Sequence, residues 1–276
     1  MSQTAATRPV SHTAPGRERA PLLECRGITK RFGAVAALTD VDLDVHRGEV
    51  VALVGDNGAG KSTLIKAISG IQPPDSGTFR FEGREVTIAS PGDATRLGIE
   101  TVYQDLSLCD NLDTVANMFL GRELAAPRHL PPPVRVLAEP DMESAAEEQL
   151  EDLGVTTIDD LRRAVATLSG GQRQSVAVAR TTLWDAKLVI LDEPTAALGI
   201  TQTAQVLELI GRLRDHGLGV VVISHNIDVV FDVADTIVVL YVGRHVATFE
   251  RAATTPQEVV SAILGVPFLE VERRSA

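Results

Sequence analysis

The sequence predicts an α/β core interrupted by a helical insertion, and three of its features carry that prediction. Residues 50–54 form a short, wholly apolar run that leads directly into a glycine-rich loop and then a helical stretch. Between about residues 105 and 180 strand-like runs vanish and apolar residues recur at helical spacing. Strand-sized apolar runs then return at 188–191, 220–223 and 237–240, with helix-patterned sequence between them. Strands that alternate with helices around a buried sheet account for that order.

The elements follow along the chain. Residues 1–20 are mostly Ser, Thr, Ala, Pro and Arg, without the apolar stretch of a secretory signal, and are expected to be a flexible tail. Residues 22–28 read as a first strand. Val41, Leu43 and Val45 alternate with Asp40, Asp42 and Asp44, which marks a strand with one wet face. His46-Arg47-Gly48 makes a turn into the run 50–54, whose unbroken apolar character suits a strand buried on both faces. A helix is expected over 61–69, and a hairpin from 78–81, the Gly83 turn and 86–88. Farther on, Met142, Ala146, Leu150 and Leu153 lie on one helical face, with Asp141 as the expected N-cap. Pro131-Pro132-Pro133 cannot continue a helix and reads as an extended surface connection.

Composition narrows the function. The 276 residues are 44% apolar and 23% charged, ordinary for a globular protein with a sizeable core. A formal net charge of −11 argues against nucleic acid as the partner, because phosphate backbones select a basic footprint. No apolar run approaches the roughly 18 residues of a membrane-spanning helix. The two cysteines, Cys25 and Cys109, form neither a metal pair nor a disulfide framework, which points to a reducing cytoplasm.

Two motifs carry chemistry. Gly55-Asp56-Asn57-Gly58-Ala59-Gly60-Lys61-Ser62, followed by Thr63, matches the phosphate-loop pattern between a strand and a helix. Glycines let successive backbone N–H groups curl around phosphates, and the helix behind them aims its positive end at the same charge. Lys61 is placed to reach the β- and γ-phosphates of a nucleotide, and Ser62 to offer its hydroxyl oxygen to Mg²⁺. Such a loop needs a carboxylate at the end of a neighbouring buried strand. The apolar run 188–191 ends in Asp192-Glu193, so Asp192 is the expected Mg²⁺ carboxylate and Glu193 the residue that polarises an attacking water.

A third motif, Leu168-Ser169-Gly170-Gly171-Gln172, opens a helical run upstream of the acidic strand. A serine and two glycines at a helix start make a second anion site. With this pentapeptide the chain resembles the ATP-binding-cassette ATPases over about residues 21–264, with 265–276 as a C-terminal tail. The resemblance implies a P-loop NTPase fold with a mixed central sheet, an antiparallel β subdomain and a helical insertion over about 105–180. It also implies ATP and Mg²⁺ as ligands. Gln104 resembles the glutamine that senses Mg²⁺ and the membrane partner, and His225 the histidine that contacts the γ-phosphate. Phe32 stands where the family places a ring that stacks on adenine. Cassettes of this family face each other head to tail, so Ser169, Gly171 and Gln172 are expected to complete the site of a second copy or a paired cassette.

After Thr195-Ala196-Ala197-Leu198 the general family has an aspartate, and this chain has Gly199. The run from Asp192 to Gly199, together with Val102-Tyr103-Gln104-Asp105-Leu106 and Cys109-Asp110-Asn111-Leu112-Asp113, resembles monosaccharide-importer ATPases of the ribose, xylose and fructose type. The absence of an internal repeat resembles their single-cassette branch. That implies a peripheral subunit at the cytoplasmic membrane face, bound to a transmembrane permease and indirectly to an extracytoplasmic solute-binding protein. Residues 106–120, rich in Leu, Val, Met and Phe, are read first as core and second as a permease-docking groove. Soluble relatives acting on DNA or ribosomes, a non-hydrolysing binder and an exporter ATPase for lipid or drug are the competing readings.

Overall fold

The computed structural model describes residues 20–126 and 136–266. Residues 1–19 of the expected N-terminal tail, the Pro131-Pro132-Pro133 connection and residues 267–276 of the C-terminal tail lie outside the described residues. The chain opens with an antiparallel pair, β1 (Leu23–Phe32) and β2 (Val35–Val45). On β2, Val41, Leu43 and Val45 are buried while Asp40, Asp42 and Asp44 are exposed, as the alternation requires. Strand β4 (Ser76–Phe81) pairs with β1 and turns through Glu82 and Gly83 into β5 (Arg84–Val86), which completes a four-stranded antiparallel sheet.

The central sheet is mixed and six-stranded, in the order β12-β11-β3-β10-β9-β6. Its middle is parallel: β3 (Glu49–Val54) lies between β11 (Thr236–Tyr241) and β10 (Gly219–Ile223), and β10 pairs with β9 (Leu188–Asp192). All six residues of β3 are buried, because layers cover both faces. Val51 and Leu53 join the core under the antiparallel sheet and helix α1 (Lys61–Ile68), whereas Ala52 and Val54 join a core under α7 (Ile227–Val233) and α8 (Pro256–Ile263). The edges are β6 (Ile99–Val102), parallel to β9, and β12 (Arg244–Glu250), antiparallel to β11. Neither edge was expected from the sequence. Helix α2 (Pro91–Leu97), also unexpected, starts at a capping box in which Ser90 N–H donates to the Asp93 carboxylate at 2.8 Å.

Among the described residues, three α-helices fill the stretch in which strands were expected to vanish: α3 (Thr114–Phe119), α4 (Glu139–Asp152) and α5 (Gly170–Thr182). A two-residue pair, β7 (Ala125–Ala126) with β8 (Val136–Leu137), is the departure from that expectation. Met142, Ala146, Leu150 and Leu153 are buried together on α4 and just past its end. Asp141 is not the N-cap: α4 begins at Glu139 after Ala138, because Pro140 fits the first turn, and Asp141 lies inside that turn, where the helix dipole favours it. Val115, Met118 and Phe119 are core, while Leu120 is exposed. Helix α6 (Ile200–Asp215) covers the same sheet face as α5. Cys25 is buried, which pushes its thiol far up, and both cysteines are free.

Candidate active site

The glycine loop joins β3 to α1, as the motif predicts. Backbone sterics dictate its first glycine: a Cβ on Gly55 would lie 2.3 Å from the Leu240 carbonyl oxygen of the adjacent strand. Gly60 holds φ at 103° immediately before α1, and a Cβ there would meet the Ala37 carbonyl at 2.8 Å. Helix α1 has no side-chain cap and no acid in its first turn, so its free N–H groups and positive end face the loop uncompensated. The Lys61 ammonium donates to the Gly55 carbonyl at 2.7 Å and the Asp56 carbonyl at 3.1 Å. Partial burial pushes its pKa down, opposed by Glu193, Asp56 and Asp192.

Parallel strands deliver the acids to the same end of the sheet. Asp192 is the last residue of β9, and its carboxyl is pushed up first by burial and then by Glu193, with Lys61 pulling the other way. Glu193 follows with φ at 52°, a left-handed conformation that a non-glycine residue holds only under strain. Its N–H donates to the Ile223 carbonyl at 2.9 Å, which ties the end of β9 to β10. His225 lies just beyond β10, and its Nδ1 is 2.9 Å from Glu193 Oε1.

A cleft of about 530 Å³ gathers these groups. Of the predicted residues, Phe32, Asn57, Gly58, Gly60, Lys61, Ser62, Thr63, Gln104, Asp192 and Glu193 line it. Gly55 adjoins it through the Lys61 bond and His225 through the Glu193 contact. Val35 and Val242 also line the cleft and were not singled out from the sequence, because no motif contains them.

Ser169, Gly171 and Gln172 are not among the residues that line the cleft. Ser169 N-caps α5 in a reciprocal box: Gln172 N–H donates to Ser169 Oγ at 3.3 Å, and Ser169 N–H donates to Gln172 Oε1 at 2.8 Å. Glycine at 171 also allows α5 to approach α6, since a Cβ would stand 3.1 Å from Gln202 Cβ.

A family profile described as ABC transporter matches residues 38–196, more than half of the 276-residue chain. This chain belongs to the ABC transporter family. It is 47% identical over 245 residues to the fructose import ATP-binding protein of Rhizobium meliloti, covering 89% of this chain and 94% of that one. It is 46% identical to the xylose/arabinose import ATP-binding protein of Sulfolobus acidocaldarius, covering 88% and 93% of the two chains. A ribose import ATP-binding protein of Rubrobacter xylanophilus is 44% identical over 89% of this chain, which spans only 47% of that protein. Among solved structures, a nucleotide-free ATP-binding cassette from an ABC transporter superimposes with a TM-score of 0.73 at 26% identity, covering 90% of this chain and 96% of that one. A cassette in its ADP conformation gives 0.74 at 24% identity, over 89% and 96% of the two chains. The α/β core, antiparallel sheet and helical insertion are thus the fold of an ABC ATPase cassette. No helix among the described residues is long and apolar enough to cross a membrane.

Proposed function

We propose that this chain is the ATP-hydrolysing subunit of an ABC importer for a monosaccharide, acting as a head-to-tail pair of cassettes beneath a transmembrane permease. One observation carries the reading: a single cleft gathers Lys61, Ser62, Asp192 and Glu193, while the Ser169 loop stands outside it. One chain therefore supplies a phosphate loop and, elsewhere, a second set of anion donors that a partner's nucleotide would fill.

In this reading residues 21–264 form one ATPase domain whose loop N–H groups and α1 terminus hold the ATP phosphates. The Lys61 ammonium exchanges the Gly55 and Asp56 carbonyls for phosphate oxygens, and the Phe32 ring stacks on adenine. The described residues offer no cluster of three or more acidic, His or Cys side chains able to cage a metal alone. They do offer a hydroxyl, an amide carbonyl and a carboxylate in one cleft, namely Ser62, Gln104 and Asp192. Those hard oxygen donors fit Mg²⁺, which keeps waters and phosphate oxygens in its shell and neutralises developing charge. Glu193 takes the proton of the attacking water, and His225, whose Nδ1 is 2.9 Å from Glu193 Oε1, is placed to reach the γ-phosphate. Ser169, Gly171 and Gln172 complete the partner's site.

The fructose, xylose/arabinose and ribose import relatives support a sugar as cargo; a peripheral place at the cytoplasmic face and a solute-binding protein acting through the permease belong to the importer reading. The net charge of −11 disfavours the nucleic-acid alternative. The deciding experiment reconstitutes the chain with its permease in vesicles and follows Mg²⁺-dependent phosphate release against a panel of monosaccharides. Stimulation by one of them is the expected result. Release that ignores permease and sugar alike would sink the importer reading.

A further inference from the structure

Three exposed apolar side chains line one cleft: Phe32 at 45%, Val35 at 65% and Val242 at 67% exposure. Val242 is the one whose presence turn chemistry leaves unexplained. It follows β11 in the turn to β12 and holds φ at 46°. A β-branched side chain in the left-handed region is a genuine outlier, and Gly, Asn or Asp would make the same turn without strain.

The turn is also pinned to the nucleotide machinery. Gly243 N–H donates to the Ala59 carbonyl in the glycine loop at 3.0 Å, and the Gly243 carbonyl accepts from Thr39 N–H on β2 at 2.7 Å. A Cβ on Gly243 would stand 2.7 Å from the Ala37 carbonyl oxygen. Val242 is therefore held in register with the phosphate loop and with the β1–β2 hairpin that carries Phe32 and Val35. The cleft lining divides by chemistry into Lys61, Ser62, Asp192 and Glu193, which suit a triphosphate and its cation, and the apolar group of Phe32, Val35 and Val242. Exposed apolar surface concentrated in a ligand cleft marks where a flat apolar group binds.

We infer that Val242 is a base-binding residue: with Val35 it forms the aliphatic wall of the purine subsite to which Phe32 contributes the ring. This rests on the nucleotide reading above and adds to it a residue outside every motif. The strain of the turn is retained because the side chain it presents is the one that covers the base.

The test titrates the full chain, with Mg²⁺ present, against ATP, ADP and inorganic tripolyphosphate, comparing wild type with Val242→Asn and Val242→Gly. Both substitutions suit a left-handed turn, so the thermal midpoint of the nucleotide-free chain should hold or rise. ATP and ADP affinity should fall about five- to tenfold, the loss of part of one aliphatic side chain's burial, while tripolyphosphate affinity stays unchanged. Unchanged ATP affinity, an equal loss for all three probes, or a midpoint that falls in both variants would overturn the inference. Wild-type chain that binds tripolyphosphate as tightly as ATP would overturn it alone. Wild-type chain that binds none of the three would take the nucleotide reading with it.

Discussion

His225 Nδ1 lies 2.9 Å from Glu193 Oε1, although 31 intervening residues separate the two in sequence. The contact follows from register. In the parallel pair β9–β10, Asp192 stands beside Ile223, so the residues leaving the two strands emerge side by side. The carboxylate is mostly buried and the imidazole is 74% exposed, so the ring is free to swing toward a phosphate while Glu193 stays fixed.

Replacing Glu193 with Gln preserves size and a partner for His225 but removes the base. Turnover should fall by about a hundredfold to ten-thousandfold, with ATP affinity retained. Phosphate release and nucleotide titration on the same preparation separate the two. Hydrolysis near the wild-type rate would remove Glu193 from the mechanism.

The glycine loop allows fold and function to be perturbed separately. Gly55→Ala drives a Cβ into the Leu240 carbonyl, a backbone atom that no rotamer change can move. Thermal unfolding should register a loss of about 2 kcal/mol or more. Lys61→Ala touches only the loop carbonyls at 2.7 and 3.1 Å, so the midpoint should stay close to wild type. Its ATP affinity should drop about tenfold to a hundredfold, the share of a charge-assisted hydrogen bond. Equal ATP affinity in Lys61→Ala and wild type would contradict the phosphate-loop role.

What was legible in the sequence depended on burial. The interior strands β3, β9, β10 and β11 announce themselves as unbroken apolar runs because both of their faces are covered. The strands missed in the central sheet, β6 and β12, are its two edges, where Glu100, Thr101, Arg244 and His245 break the pattern. Site residues contiguous in sequence, such as those from Gly55 to Thr63, could be read as motifs. Val242 could not, because only the pairing of β11 with β3 brings it to the cleft. The start of α4 was misplaced by three residues because proline is permitted in a first turn.

Gly199, where the wider family carries aspartate, is the N-cap of α6 with φ at −73°, a conformation open to any residue. A Cβ there meets nothing within 4 Å, and Gly199 N–H already donates to Gln202 Oε1 at 3.3 Å. Gly199→Asp should therefore add a side-chain cap and a favourable charge at the helix start, worth about 0.3–1 kcal/mol. Differential scanning calorimetry should place the variant about 1 to 3 °C above wild type. A lower midpoint would mean that glycine is required for backbone reasons the geometry does not contain.

His245, on β12, sets one limb of the pH dependence of stability. Its Nε2 is 2.8 Å from Thr248 Oγ1, and burial pushes its pKa down from the ordinary 6.5. The opposing influences are the Ala247 backbone and the carboxylates of Asp42 and Asp44 on β2, and Asp44 is itself paired with Arg26. Because the folded value lies below the unfolded one, the unfolded chain binds more protons in the interval between them. The contribution is fully present above pH 6.5 and is lost as pH falls from there through the folded value. His245→Gln keeps a polar partner for Thr248 without the titration. Thermal midpoints between about pH 5 and 7.5 should fall more steeply for wild type than for the variant, since acid losses from carboxylates are common to both and cancel in the difference. Parallel curves would show that the ring is solvated enough to protonate freely in the folded chain.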